Sequence, residues 1–213
     1  AISGASSSTY TLVQADVGLA ITVTASYTDG QGTDESSTSA ATAAVGNVNS
    51  SPTGSVTISG TAIEDQVLTA ANTLADVDGL GTISYQWNRA GTAISGASSS
   101  TYTLVQADVG LAITVTASYT DGQGTDESST SAATAAVANV NDSPTGSVTI
   151  SGTAAVDEVL MASNTLADED GLGTITYTWS NGDTGSNTTL GQSDVGNAIT
   201  VTASYTDAQG TAE

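Results

Sequence analysis

The chain has 213 residues and a formal net charge of −21, because 22 Asp and Glu residues stand against one basic residue, Arg89. This charge excludes binding to nucleic-acid phosphates and to anionic membrane surfaces, both of which attract Lys and Arg. The chain has no Cys and no His, which excludes disulfides, zinc–thiolate sites and a Ser-His-Asp triad.

The sequence repeats itself. Residues 1–45 recur without change at 93–137, and the stretch NVNSSPTGSVTISGTA from Asn47 recurs with one substitution from Asn139. The third copy has lost six residues after its Trp, and a loop or short edge strand is expected to absorb this deletion. The repeat predicts three modules: the C-terminal half of one at 1–46, a complete one at 47–138, and a third lacking its last strand at 139–213. A window from a longer tandem array is expected to look like this.

The complete module alternates apolar and polar residues with a period of two, which predicts strands rather than helices. Gly, Asp and Asn turn signals bound each run. Seven strands are expected, at 54–60, 66–72, 82–89, 92–95, 100–105, 111–120 and 125–136, with one helical turn at 106–109. This pattern predicts an all-β fold of tandem immunoglobulin-like β-sandwich modules joined end to end by short linkers. Trp87 is expected to be buried between the two sheets, as is Trp179 in the third module.

Three stretches of the chain resemble known families. The string SYQWNRAGTAISGASSSTYTLVQADVGLAITVTASYTDGQG resembles bacterial Ig-like repeats, with its Trp in the third strand and its ADVG corner. The repeated stretch from GSVTISGTA to DGLGTI resembles the extender modules of giant RTX-type adhesins, which Gram-negative bacteria secrete through type I systems. The linker NVNDSP resembles the cadherin linker, where Asn, Asp and backbone oxygens bind Ca²⁺ between domains. The resemblance implies an extracellular protein of the bacterial cell surface with Ca²⁺ at its linkers.

Oxygen-bearing side chains are expected to converge at both linkers, because the turns at one end of a module face the entering end of the next. Carboxylate, amide and backbone oxygens are the ligands that Ca²⁺ prefers. The expected ligands at the second linker lie in it and in the turns beside it: Glu64, Asp65, Asn139, Asn141, Asp142, Asp168, Asp170 and Asp207. Those at the first linker are fewer: Asn47, Asn49, Asp76, Asp78 and Asp121. Ser50 stands where the second linker has Asp142, which predicts weaker binding at the first.

Several acids of the chain have an interpretation that needs no metal. Asp-Gly pairs suit ordinary turns, in which the Asp side chain bonds to its own backbone. Asp16, Asp108 and Asp194 are expected to cap the corner before the sixth strand through backbone N–H groups. Asp126 and Glu127 are expected to form a solvated strand edge that discourages aggregation.

The repeats favour a structural function. The preferred interpretation is a structural extender, or spacer, in a large secreted bacterial adhesin, in which Ca²⁺ at each linker stiffens a rod that projects a distal adhesive domain from the cell surface. The expected partners are neighbouring modules of the same chain, without nucleic acid or membrane insertion. No enzyme is expected, because most of the acids recur from module to module and the sandwich offers no groove for paired catalytic carboxylates.

Two other functions remain open. One is a self-assembling extracellular fibre or biofilm-matrix protein, in which like chains complete each other's end modules with strands. The other is a glycan- or protein-binding module that uses its loops. Loops that recognise ligands diversify between copies, and those of 1–45 and 93–137 are identical, which argues against the second.

Overall fold

The computed structural model describes residues 1–213, which form two compact units. The first consists of 1–59, 69–102 and 114–133, and the second of 60–68, 103–113 and 134–213. Each unit contains one of the two Asn-rich linkers, and the division into three modules stays a prediction. Helix is confined to single 3₁₀ turns at Gln14–Asp16, Gln106–Asp108 and Gln192–Asp194. None of these turns has the length and apolar character needed to span a bilayer.

Fourteen short strands make up the rest of the regular structure. In chain order they are β1 (Thr24–Thr28), β2 (Asp34–Thr38), β3 (Val56–Ser59), β4 (Val67–Asn72), β5 (Ser84–Arg89), β6 (Thr92–Ala93), β7 (Thr101–Thr103), β8 (Ile113–Thr120), β9 (Asp126–Thr130), β10 (Val148–Ser151), β11 (Val159–Asn164), β12 (Thr176–Trp179), β13 (Asn187–Thr189) and β14 (Val201–Ser204). All the ladders between strands with a defined register are antiparallel.

Strands β3 to β9 form the two sheets of an Ig-like sandwich. One sheet has the order β3-β4-β7 and the other β6-β5-β8-β9. Each of the seven strands lies inside the range predicted for it, and the 3₁₀ turn lies at the predicted corner. The expectation of an all-β, Ig-like fold is therefore confirmed.

Strand β8 shows why these residues form a sheet. Along it, buried residues alternate strictly with half-buried or exposed ones, and Ile113, Val115, Ala117 and Tyr119 lie on the buried face. Successive side chains of a strand point to opposite faces, so a period of two places one apolar set against the core. β-Branched residues at these positions pack well on a pleated surface.

Trp87 of β5 is the largest buried side chain of the sandwich. It is fully buried, and its ring stacks on Tyr102 with 5.8 Å between ring centroids. Its indole Nε1–H donates to the Ser99 carbonyl at 2.8 Å, so the polar edge of the ring is satisfied. Trp179 is buried in the second unit as well, where its Nε1–H donates to the Gly185 carbonyl at 2.9 Å. The predicted burial of both Trp side chains is confirmed.

The third copy forms two smaller sheets, β10-β11-β13 and β12-β14. Its core consists of four buried residues: Leu160, Ala162, Trp179 and Leu190. No strand corresponds to β6, because the six-residue deletion leaves a tight turn in which Trp179 N–H donates to the Asp183 carbonyl at 2.8 Å. An edge strand has absorbed the deletion, as predicted.

The first 45 residues are far more exposed than their identical repeat. Leu12 and Tyr27 are 52% and 66% exposed, whereas their counterparts Leu104 and Tyr119 are 0% and 4% exposed. Strands β1 and β2 pair only with each other, and every residue of both is exposed. A two-stranded hairpin without a covered face is marginally stable, which explains why β1 is shorter than β8.

Replacing Trp87 by Ala is expected to lower the free energy of unfolding by about 3–5 kcal/mol, the usual result for a buried large aromatic. Urea unfolding followed by circular dichroism measures this. As the control, Tyr27→Ala removes an exposed aromatic and should change the free energy by no more than about 0.5 kcal/mol. Equal effects of the two substitutions would contradict the core described above.

Candidate cation site at the linkers

Each of the three 3₁₀ turns ends in an acidic residue that caps the turn and does not serve as a ligand. Each carboxylate accepts a hydrogen bond from the backbone N–H three residues earlier, at 2.8–2.9 Å: Asp16 from Val13, Asp108 from Val105 and Asp194 from Gly191. Such a bond satisfies a backbone donor at the start of the 3₁₀ turn. The capping role predicted for these acids is confirmed.

In the second unit, three other acidic side chains meet. Glu64 in the β3–β4 turn, Asp142 in the linker and Asp170 before β12 each place a carboxylate oxygen within 4.8 Å of the other two. Glu64 and Asp170 are each only 2% exposed. The one basic side chain of the protein, Arg89, belongs to the first unit, where it donates to the Tyr102 hydroxyl. The charges that act on Glu64 are those of other acids: Asp142, Asp170 and Asp65.

The linker backbone holds the cluster together. Asp142 N–H donates to Asp170 Oδ2 at 2.7 Å, and Val140 N–H donates to Glu64 Oε2 at 3.2 Å. Just before them, Glu64 N–H donates to the Ala138 carbonyl at 2.9 Å, which fixes the turn against the start of the linker. The backbone thus uses one oxygen of Asp170 and one of Glu64.

In the same unit, several side-chain oxygens are buried and accept no hydrogen bond. They are Asp170 Oδ1, Asp207 Oδ2 and Asn139 Oδ1, together with Gln106 Oε1 of the neighbouring 3₁₀ turn. Leaving a buried acceptor unsatisfied costs about 1–3 kcal/mol, and more when the acceptor is charged. A bound cation would remove this cost, because it takes such oxygens as ligands. The donor set, which contains only oxygen, fits a hard cation such as Ca²⁺.

Neighbouring groups orient the carboxylates that carry these free oxygens. Asp207 Oδ1 accepts from Gln209 N–H at 2.9 Å and Thr211 N–H at 2.7 Å, which leaves Oδ2 free. Asp168 accepts from Asp170 N–H at 2.9 Å through one oxygen and from the Tyr205 hydroxyl through the other. Burial and the adjacent Asp168 raise the pKa of Tyr205, so its hydroxyl remains a donor at neutral pH.

Burial also affects Glu64. It raises the pKa of Glu64 above its usual value, and the nearby charges of Asp142, Asp170 and Asp65 raise it further. The hydrogen bond from Val140 N–H opposes the shift by favouring the ionised form. A bound cation at this position would lower the pKa of Glu64, since it stabilises the ionised carboxylate.

The first unit builds a smaller version of the same site. Ser50 N–H donates to Asp78 Oδ2 at 2.6 Å, as Asp142 does to Asp170, and Asp78 Oδ1 is buried without a partner. Asp121 Oδ1 accepts from Thr125 N–H at 2.7 Å, and its Oδ2 is likewise buried and free. The hydroxyl of Tyr119 donates to Asp76 at 2.6 Å. No counterpart of Glu64 lies here, and Ser50 supplies no carboxylate.

The remaining predicted ligands lie around the two sites in other roles. Asp65 is exposed, outside the cluster, with a positive φ of 62° that Asp tolerates better than most residues. Asn47 accepts from the Gln14 side chain at 3.2 Å. Asn49 and Asn141 are exposed and donate to the carboxylates of Glu127 and Glu213, at 2.7 Å and 2.9 Å. These contacts hold the first linker against β9 and the second linker against Glu213, which follows β14.

Sequence reasoning missed the tyrosines. Tyr119 and Tyr205 each lie two residues before a site acid in the motif Ser-Tyr-Thr-Asp, and neither was predicted to take part in a site. The motif is repeated wherever the site is built, which is a signal that could have indicated a positioning role.

Comparison with known proteins gives little direct information. No protein-family model matches the chain, and no curated protein matches it. A solved structure described as a tetra-tandem repeat in the extending region of a large adhesion protein is similar over 92% of this chain, with 21% identity and a TM-score of 0.28. The chain covers 55% of the length of that structure.

The substitution Glu64→Gln is expected to have opposite effects with and without Ca²⁺. The raised pKa means that the folded state favours the protonated form, so in chelator stability should increase as the pH falls from neutral through the folded-state pKa. Gln resembles that neutral form and should raise the melting temperature in chelator at pH 7. With Ca²⁺ it should reduce the stabilisation, because one charged ligand is lost. Scanning calorimetry measures both, and a loss of stability in chelator would contradict the prediction.

Tyr205→Phe is expected to weaken Ca²⁺ binding in the second unit about 10-fold, because groups that orient metal ligands usually contribute that much. Isothermal titration calorimetry measures the affinity. Tyr177→Phe is the matched control, since the Tyr177 hydroxyl accepts from Asn164 and touches no acid of the site. Equal affinities of the two variants would show that Tyr205 only packs.

Proposed function

We propose that this chain is a stretch of structural extender repeats in a large secreted bacterial adhesin, and that Ca²⁺ at the linkers stiffens a rod that projects a distal adhesive domain from the cell surface. The observation that carries the proposal is the set of buried carboxylate oxygens without hydrogen-bond partners at each linker. The resemblance of the repeats and of the linker to such extenders points to the same function.

In the second unit, Glu64, Asp142, Asp170, Asp207 and Asn139 would hold the ion. When bound, Ca²⁺ supplies positive charge and accepts several oxygen ligands at once. These residues belong to a turn, the linker and two further turns, so their side chains join segments that are distant in sequence. Without a cation the carboxylates repel one another across a few ångströms. The linker is then expected to be mobile.

The composition suits an extracellular spacer. Extracellular Ca²⁺-binding modules have dissociation constants of about 10⁻⁴–10⁻³ M, which suffices where Ca²⁺ is millimolar. The high negative charge keeps neighbouring molecules soluble and apart. One basic residue in 213 leaves trypsin-like proteases one site of attack. The identity of 1–45 and 93–137, loops included, suits a spacer better than an enzyme, and we propose no enzymatic activity.

Removing Ca²⁺ is expected to shorten the maximum dimension of the chain in small-angle scattering and to lower its melting temperature. Ions that bind only the folded state stabilise it by mass action. Mg²⁺ at equal ionic strength is the control for charge screening, because Mg²⁺ demands a tighter octahedral set of ligands. Identical scattering curves in Ca²⁺ and in chelator would overturn the proposal.

The two sites are expected to differ in affinity because the second has the carboxylates of Glu64 and Asp142, which the first lacks, and position 50 tests the second of these differences. Asp142 adds a carboxylate to the second site where Ser50 offers a hydroxyl, and Ca²⁺ affinity increases with ligand charge. In a calorimetric titration the second site should fill first. Ser50→Asp should strengthen the weaker site and Asp142→Ser should weaken the stronger one, whereas Ser143→Asp controls for charge at an adjacent linker position. If neither substitution changed either affinity, this position would not be a ligand.

A further inference from the structure

Two backbone segments from opposite ends of the complete module lie side by side. The entry segment, residues 62–64, follows β3, and the exit segment, residues 137–138, leads into the second linker. Ala138 N–H donates to the Ala62 carbonyl, and the Ala138 carbonyl accepts from Glu64 N–H, both at 2.9 Å. The bridge between these segments is parallel, whereas the registered strand ladders of the sandwich are antiparallel.

The exit segment is also fixed on its other side, against the 3₁₀ corner. Val137 accepts from Gly110 N–H and donates to the Leu111 carbonyl, both at 2.9 Å, and this bridge is parallel as well. The Val137 side chain is buried. Four backbone hydrogen bonds therefore hold the exit segment, two from the entry segment and two from the corner. All these residues belong to the second unit.

The parallel direction determines how these bonds respond to tension along the chain. Tension reaches the entry segment from its N-terminal side and the exit segment from its C-terminal side. Two parallel segments pulled in this way slide along each other, so all the bonds between them carry the force together. In an antiparallel pair the two pulled ends would lie next to each other, and the bonds would break one after another. The observed arrangement is the more resistant of the two.

The same contact keeps tension away from most of the sandwich. Strands β4 to β9 all lie between the entry and exit segments in the sequence. A force that passes directly from one segment to the other does not have to pass through these strands. The core around Trp87 therefore stays unloaded as long as the bonds between the two segments hold.

We propose that the entry and exit segments form a mechanical clamp, whose backbone bonds set the force at which the complete module unfolds when the chain is stretched. The proposal rests on the proposed function in one respect, namely that an extender carries tension. It does not rest on the cation, because the clamp consists of backbone N–H groups and carbonyls. Forced unfolding depends on the rate of unfolding rather than on equilibrium stability, so the clamp is tested by pulling.

Optical tweezers can pull the full chain in two directions, because it has no Cys and introduced Cys pairs fix the attachment points. Ser51→Cys with Ser143→Cys applies tension from end to end across the complete module. Thr92→Cys with Ser128→Cys pulls the sheet β6-β5-β8-β9 from edge to edge, along a path that does not include the clamp. All four side chains are exposed. In chelator, unfolding should require a higher force from end to end than from edge to edge.

A proline in the exit segment tests the clamp bonds themselves. Ala138→Pro removes the N–H that donates to Ala62. At a constant end-to-end force it should speed unfolding about 5-fold, the effect of losing one net hydrogen bond that is broken in the transition state. From edge to edge the rate should not change. The matched control is Ala136→Pro, at an exposed position outside the strands whose N–H donates no backbone hydrogen bond, and it should change neither rate.

Three results overturn the clamp. The first is an end-to-end unfolding force no higher than the edge-to-edge force, a comparison that needs no proline variant to fold. The second is an Ala138→Pro variant that speeds unfolding equally in both directions, because the substitution then only lowers general stability. The third is an Ala138→Pro variant that behaves like Ala136→Pro. Identical scattering curves in Ca²⁺ and in chelator, with the directional difference intact, would refute the Ca²⁺-stiffened rod and leave the clamp in place.

Discussion

A buried carboxylate needs a positive partner, and this chain has almost none to offer. With 22 acids and a single Arg, side chains cannot neutralise the acids that the fold places at its linkers. The acids nevertheless lie inside, with Glu64 and Asp170 shielded from water and the second oxygen of Asp170 left free. Burying an ionised group without a partner is among the most costly arrangements in a protein. The linkers, their turns and the proposed function all follow from this constraint.

One tyrosine at each linker site connects that site to the core of the sheets. Tyr119 is on the buried face of β8 and Tyr205 directly follows β14, so the core fixes both rings, while their hydroxyls reach Asp76 and Asp168. Each of these acids in turn accepts the backbone N–H of the next site acid. Packing therefore determines where the free carboxylate oxygens point. A site preorganised by core residues loses little conformational entropy when an ion binds.

The sequence indicated which acids gather at the linkers but not how each one is used. Repetition and turn signals placed Glu64, Asp142 and Asp170 together because turns at one end of a sandwich must lie close to the linker that leaves it. Periodicity carries no information on which oxygen of a carboxylate the backbone occupies, so the free oxygen of Asp207 emerged only from coordinates. Asp65 was expected among the ligands, yet its left-handed backbone conformation accompanies an exposed side chain.

The identical repeats separate what sequence alone determined from what tertiary structure decided. Alternation, turn residues and the Asp cap are local properties, and residues 1–45 share them with 93–137: both copies form the 3₁₀ corner and a hairpin. Burial is not local, because an apolar face is covered only where another sheet packs on it. Leu104 lies under such a sheet and Leu12 does not, although their neighbours in sequence are the same. The sequence by itself determined the pattern of strands and turns, whereas the burial of each residue depends on which distant parts of the chain pack against that pattern.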